Sequence, residues 1–125
     1  MRIVIETIKH EDQRYPTCGD YRYLDDGTLY ITVSDMGNEQ YESLVAIHEL
    51  YEERLTKWKG ISEEQISLCD LQFESKRKPG NLDEPGFDKD CIYKEQHTAA
   101  TAIEMMMCAH AGIDWKIYDE TVNNL

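Results

Sequence analysis

The chain has no apolar run long enough to span a bilayer, and its amino terminus lacks the basic-then-apolar order of a secretory signal. The expectation is a protein without a membrane-spanning helix or a leader. Positive charge is also scarce: 13 lysines and arginines stand against 25 acidic residues, for a formal charge of -12. So acidic a surface repels phosphate backbones and anionic headgroups, which argues against nucleic acid and membrane surfaces as partners. None of the four cysteines (Cys18, Cys69, Cys91, Cys108) is spaced as C-x-x-C. That absence argues against a disulfide framework and a four-cysteine zinc site, and favours reduced thiols in a cytoplasmic protein. A glycine-rich phosphate loop and a serine nucleophile elbow are missing as well.

What remains is the composition of a folded domain. At 125 residues and 41% hydrophobic, with eight tyrosines, the chain can build one core without staples, and residues 1–125 read as a single domain. "MRIVIETI" alternates apolar and charged residues and reads as a strand. "YRYL" and "LYITV" flank Asp26-Gly27, a hairpin signal because both residues tolerate positive φ. Leu29, Ile31 and Val33 fall on one face of the second hairpin strand. From Asn38, a suitable N-cap, a helix is predicted to about Lys59, where Gly60 stops it. Ser62 and Gln65 form the pattern of a capping box for a second helix. A loop of about fifteen residues with two Pro-Gly turns follows. A third helix is expected over Cys91–Ala111, and a short fourth after Asp114. Strands first and helices after predict an α+β fold: a small antiparallel sheet of about three strands packed on three to four helices.

The segment "VAIHELYEERL" places chemistry on the first helix. Tyr41, Leu44, Val45, Tyr51, Leu55 and Trp58 trace an apolar stripe, and His48 and Glu52 belong to the same side at a spacing of four. A carboxylate drawn towards a core needs compensation, which a divalent cation held by His48 and Glu52 would supply. This (i, i+4) geometry is the one by which H-E-x-x-H helices hold zinc, and Glu49 occupies the place of that motif's general base. On the third helix, "EQHTAATAIE" puts His97, Ala100, Thr101 and Glu104 along one side, with small residues where another helix can approach. His48, Glu52 and His97 then make a two-histidine, one-glutamate set, with Glu104 or, more remotely, Asp70 as a supporting group or alternative ligand. The same residues allow a plainer reading. Glu52 could be solvated, His48 a hydrogen-bonded core histidine, and His97 part of a charged helix face. His10 and His110 read as ordinary, and "EMMMC" at 104–108 as core packing.

The stretches "IHELYEERLTKWKGISEEQISLCDLQFE", "DEPGFDKDCIYKEQHTAATAIE" and "AGIDWKIYD" resemble a group of small uncharacterised bacterial and phage proteins. The shared pattern is an H-E-L-x-E helix, an E-P-G loop, an E-x-H helix and a final D-W-x-x-Y. This resemblance implies that His48, Glu49, Glu52, Asp70, Glu84, Pro85, Gly86, His97, Glu104, Asp114 and Trp115 matter together, and it implies no activity. A looser likeness to zincin-type metallopeptidases rests on a strand followed by the H-E-x-x helix. The departure is that Glu52 stands where zincins carry their second histidine.

Three functions are compatible with these residues. The first is a metal-binding protein, in its fuller form a zinc-dependent hydrolase of small-molecule or peptide substrates, with Glu49 taking a proton from water. The second is a non-enzymatic accessory or interaction domain, phage-related, using the cluster as a structural staple. The third is a magnesium-dependent nucleotide pyrophosphohydrolase built on Glu49 and Glu52, for which the second acidic pair is missing. The sequence does not set the oligomeric state.

Overall fold

The computed structural model describes residues 1–125, with three strands ahead of four α-helices. The strands are β1 (Ile3–Ile8), β2 (Gly19–Tyr23) and β3 (Leu29–Ser34). The helices are α1 (Glu39–Lys59), α2 (Glu63–Lys76), α3 (Lys94–Ala111) and α4 (Trp115–Asn123). The α+β class expected from the order of patterns is the class observed.

The β2–β3 hairpin turns at Asp26-Gly27, where Gly27 has φ +86° and the Thr28 amide donates to the Asp26 side chain at 2.9 Å. The sheet order is β1-β3-β2, so the hairpin inserts its second strand between the other two. β2 pairs antiparallel with β3, whereas β1 pairs parallel with it, from Ile3 opposite Leu29 to Ile8 opposite Ser34. The expectation of antiparallel pairing therefore holds for one of the two ladders. The reason is the linker between β1 and β2, which includes a 3-10 turn at His10–Asp12 and is long enough to carry β2 past the β3 position.

Leu29, Ile31 and Val33 share one face, as their period-two spacing predicts, and are fully buried against Leu44, Val45 and Ala46 of α1, with Cys108 and Tyr118 completing the core. α1 lies over β2 and β3 and leaves β1 uncovered. Ile3 and Ile5 consequently stay exposed at the sheet edge, although their register places them beside Leu29 and Ile31.

The helix boundaries follow local chemistry. The Asn38 side chain accepts from the Gln40 and Tyr41 amides, and Gly60 closes α1 at φ +83°. Ser62 and Gln65 form both halves of the capping box on α2. Asp114 caps α4 by accepting from the Ile117 amide. α3 starts at Lys94, three residues after the predicted start, and the loop before it contains a 3-10 turn at Pro85–Phe87.

Three expectations fail. The apolar stripe on α1 does not run its full length: Tyr51 and Trp58 are exposed, while Glu52, Glu53 and Thr56 are buried. The inward side is polar there because each acid finds partners. Glu53 accepts from Tyr23 and Arg54, and Glu52 meets the imidazoles described below. Met105 and Met106 are exposed rather than packed, since the buried side of α3 follows His97, Ala100, Glu104 and Cys108. Finally, Cys69 and Cys91 form a disulfide, leaving Cys18 and Cys108 free. No sequence spacing announces this pair. The fold brings their Cα atoms to 5.6 Å, within the range a disulfide spans. The compositional case for four reduced thiols does not hold for these two. No helix is long and apolar enough to cross a membrane.

α1 and α3 are the most extensively packed pair of helices. Ala100 is completely buried on the side of α3 that carries His97 and Glu104. Ala100→Leu is expected to force added volume into that side and to lower stability by about 1–3 kcal/mol, read as a lower Tm or denaturation midpoint. A variant as stable as the parent would show that the helices do not meet closely at this position.

Candidate metal centre

Two packed helices supply the three donors. His48 and Glu52 stand one turn apart on α1, and His97 faces them from α3; all three are buried. His48 Nε2 is 3.1 Å from Glu52 Oε2, His97 Nδ1 is 2.7 Å from the same oxygen, and the two ring nitrogens are 3.2 Å apart. One donor atom from each residue thus lies at the corner of a small triangle, and the three form a group able to hold a metal ion. In a tetrahedral zinc site with metal–ligand bonds of about 2.0–2.2 Å, neighbouring donors lie about 3.3 Å apart. The observed sides are close to that, so the residues fit such an ion with little rearrangement.

The far side of each imidazole is also held by a carboxylate. His48 Nδ1 pairs with Glu104 Oε1, and Glu104 in turn accepts from the hydroxyl of the buried Tyr118. His97 Nε2 has Glu84 Oε2 2.7 Å away, though off the axis of an aligned hydrogen bond, so this buried nitrogen has a charge partner and no hydrogen-bond partner. A proton kept on each outer nitrogen leaves a lone pair on each inner one, the tautomer that metal-ligating histidines take. Glu52 Oε1 faces the Tyr21 hydroxyl at 3.5 Å.

Three electron-rich atoms at this spacing need positive charge between them. Without a metal, protons supply it. Burial disfavours a charged His48, but the Glu104 and Glu52 carboxylates outweigh it and hold the pKa up at about 11. Burial likewise opposes charge on His97, and Glu52 and Glu84 prevail, holding it at about 9. Burial would raise Glu52, yet its bonds to both imidazoles bring it down to about 2.

Glu49 lies outside the triangle. It packs beneath β2, where a Cβ on Gly19 would come within 2.7 Å of Glu49 Oε1, so glycine is needed there for the close approach. Burial and the neighbouring Glu52 charge push its carboxyl up to about 8. Asp70 is not among the three donors: it accepts from Tyr93 at 2.5 Å and ties α2 to the segment before α3. His10 bonds Ser34 at 2.9 Å, in keeping with its ordinary reading.

Helical spacing gives no sign of the residues that hold His97 from outside, although the resemblance groups Glu84, Pro85 and Gly86 with it and Phe87 falls in the same loop. A Cβ on Gly86 would stand 2.3 Å from His97 Cγ, and the Phe87 ring packs edge-on with its centroid 4.5 Å from that of the imidazole. Glu84, Gly86 and Phe87 thus form one turn pressed on the third candidate donor. The two Pro-Gly signals marked a loop there, and its place on His97 is a tertiary fact.

Gly86→Ala is expected to displace either the turn or the imidazole, lowering Tm and weakening divalent-metal binding by tenfold or more (about 1.4 kcal/mol) in a chelator competition. Proton release supplies a separate check. The metal-free imidazoles are charged at neutral pH, and coordination displaces a proton from each inner nitrogen. Metal uptake at pH 7 should therefore release about two protons, and affinity should rise with pH steeply to about 9 and less steeply to about 11. Calorimetry in buffers of different ionisation enthalpy measures this, and pH-independent uptake would contradict the assignment.

Searches of family models, of curated proteins and of solved structures return no match to this chain. The site is therefore assigned on its own geometry: a buried His-Glu-His group, between two helices, able to hold a metal ion.

Proposed function

We propose that the protein is a divalent-metal protein with His48, Glu52 and His97 as ligands, that zinc is the ion, and that it acts as a hydrolase. The observation that carries the reading is the convergence of three buried donors at 2.7–3.2 Å while Glu104 and Glu84 occupy the outer imidazole nitrogens. Two imidazoles and one carboxylate suit zinc and leave a fourth position for water or substrate. Zinc bound there would lower the pKa of a water molecule and polarise a carbonyl or phosphoryl oxygen.

The protein's own groups then divide the work. His48 and His97 turn their inner nitrogens to the ion, His48 oriented by its bond to Glu104 and His97 facing the charge of Glu84. Glu52 contributes negative charge and is the group that can change its hold on the ion, being tied only to the imidazoles and to a long contact from Tyr21. Glu49, with its carboxyl near 8, is poised to exchange a proton near neutral pH, the property a general base or acid needs. Tyr21 also lines an open cleft of about 350 Å³ with Tyr23, Thr56 and Lys57, although none of the three donors borders it.

A second reading has its own support. Each imidazole is flanked by two carboxylates, so the cluster can also close as a charged staple between α1 and α3 with no ion. This is the accessory-domain alternative, and metal content separates the two.

Protein purified without an affinity tag is expected to carry about one zinc per chain by elemental analysis. His48→Ala should lose it and melt at lower temperature, whereas Glu49→Gln should keep the metal and lose hydrolysis of ester or peptide probes by about 10²-fold or more. Protein devoid of stoichiometric metal, with a His48→Ala variant of unchanged Tm, would remove the metal reading.

A further inference from the structure

The disulfide lies at the base of the turn that presses on His97. α2 buries no residue fully, and its principal packing partner is the Pro85–Phe87 turn. Two further ties hold it: the Tyr93 hydroxyl donates to Asp70, and Cys69 is bonded to Cys91. Cys91 and Tyr93 are both buried, and Tyr93 also stands edge-on to His97 with ring centroids 6.1 Å apart. The bond joins α2 to the segment just before α3 and so closes the intervening loop into a ring. Glu84, Gly86 and Phe87, the three residues that touch His97 from outside, lie inside that ring.

We propose that the Cys69–Cys91 disulfide is a redox latch that holds the Glu84–Phe87 turn against His97, so that reduction frees the turn and loosens the third donor of the centre. Closing a loop removes conformations from its open state, and breaking the closure returns them. What opposes that gain is limited to the Arg77 guanidinium donating to the Asn81 and Asp83 carbonyls and to the packing of the turn on α3 around His97. The turn has one buried residue, Gly86, which contributes no side chain, and α2 offers only partly covered residues against it. His48 and Glu52 are unaffected by the same event, because both belong to α1, which is anchored in the core through Leu44 and Val45.

The chemistry balances with a dithiol as reductant. A thiolate of the dithiol attacks the sulfur of Cys69, which is half-buried, and the S–S bond breaks with Cys91 leaving as thiolate. The second thiol of the dithiol then displaces Cys69 and closes its own disulfide. Two electrons and two protons pass to the protein, and the dithiol is oxidised by the same amount. The consequence for the metal centre rests on the metal reading above, whereas the contact between turn and imidazole does not.

The test compares oxidised protein, dithiol-reduced protein and a Cys69→Ser variant. Hydrogen exchange is followed across residues 84–91, with α1 and α3 as the control for an intact fold, and cobalt(II) affinity is measured by chelator competition. The expected result is faster exchange over 84–91 in both reduced forms and cobalt binding at least tenfold weaker than in oxidised protein. Unchanged exchange on reduction overturns the latch, and so does faster exchange with undiminished cobalt affinity. If no form binds cobalt while the turn still loosens on reduction, the metal reading falls and the latch on His97 stands. Should the serine variant lose protection throughout α1 and α3, the reduced wild-type chain alone decides the outcome.

Discussion

Two imidazole nitrogens and one carboxylate oxygen meet at 2.7–3.2 Å between α1 and α3, and much of the neighbouring structure satisfies what that meeting demands. Lone pairs so close, away from water, are tolerable only with positive charge among them. The carboxylates of Glu104 and Glu84 help to secure that charge. They favour protonated imidazoles in the metal-free chain and would hold the outer sides of the rings if the inner nitrogens bound a cation. Tyr118 completes the arrangement by donating to Glu104, which places the last buried hydroxyl of the network in the hydrophobic core itself.

Close approach is the second condition. The side chains on α1 and α3 meet because α3 shows Ala100 between His97 and Glu104, and because two glycines leave out a Cβ where a functional side chain must fit. Gly19 makes room for Glu49 beneath β2, and Gly86 makes room for the His97 ring. Neither glycine is there for a left-handed backbone, since positive φ occurs only at other glycines. Packing, not torsion, requires them.

The site is unevenly anchored as a result. α1 is pinned along its first half by Leu44 and Val45 against the sheet, so His48 and Glu52 inherit the rigidity of the core. His97 lies near the start of α3, and its outer contacts come chiefly from a turn that buries one glycine and leans on α2, a helix with no fully buried residue. Stability is distributed along a chain in proportion to buried contacts, and the elements around the third donor belong to the loosely held end.

Much of this was written locally. The helix caps at Asn38, Ser62 and Asp114, the Gly60 stop and the Asp26-Gly27 turn are set by side chains acting within a few residues, and each is found where its local chemistry puts it. His48, Glu52, His97 and Glu104 could be named as one group because spacings of three, four and seven on a helix fix a common side whatever the helix packs against. Partners from distant segments carry no such periodic mark. The parallel pairing of β1 with β3, the Cys69–Cys91 bond, the burial of Glu53 beside Tyr23 and the clasp of Glu84, Gly86 and Phe87 on His97 all depend on where segments far apart in the chain come to rest. Helical spacing set which residues share a side and so which donors were available. That those donors converge, and what holds them from behind, came from packing between elements, which local spacing does not encode.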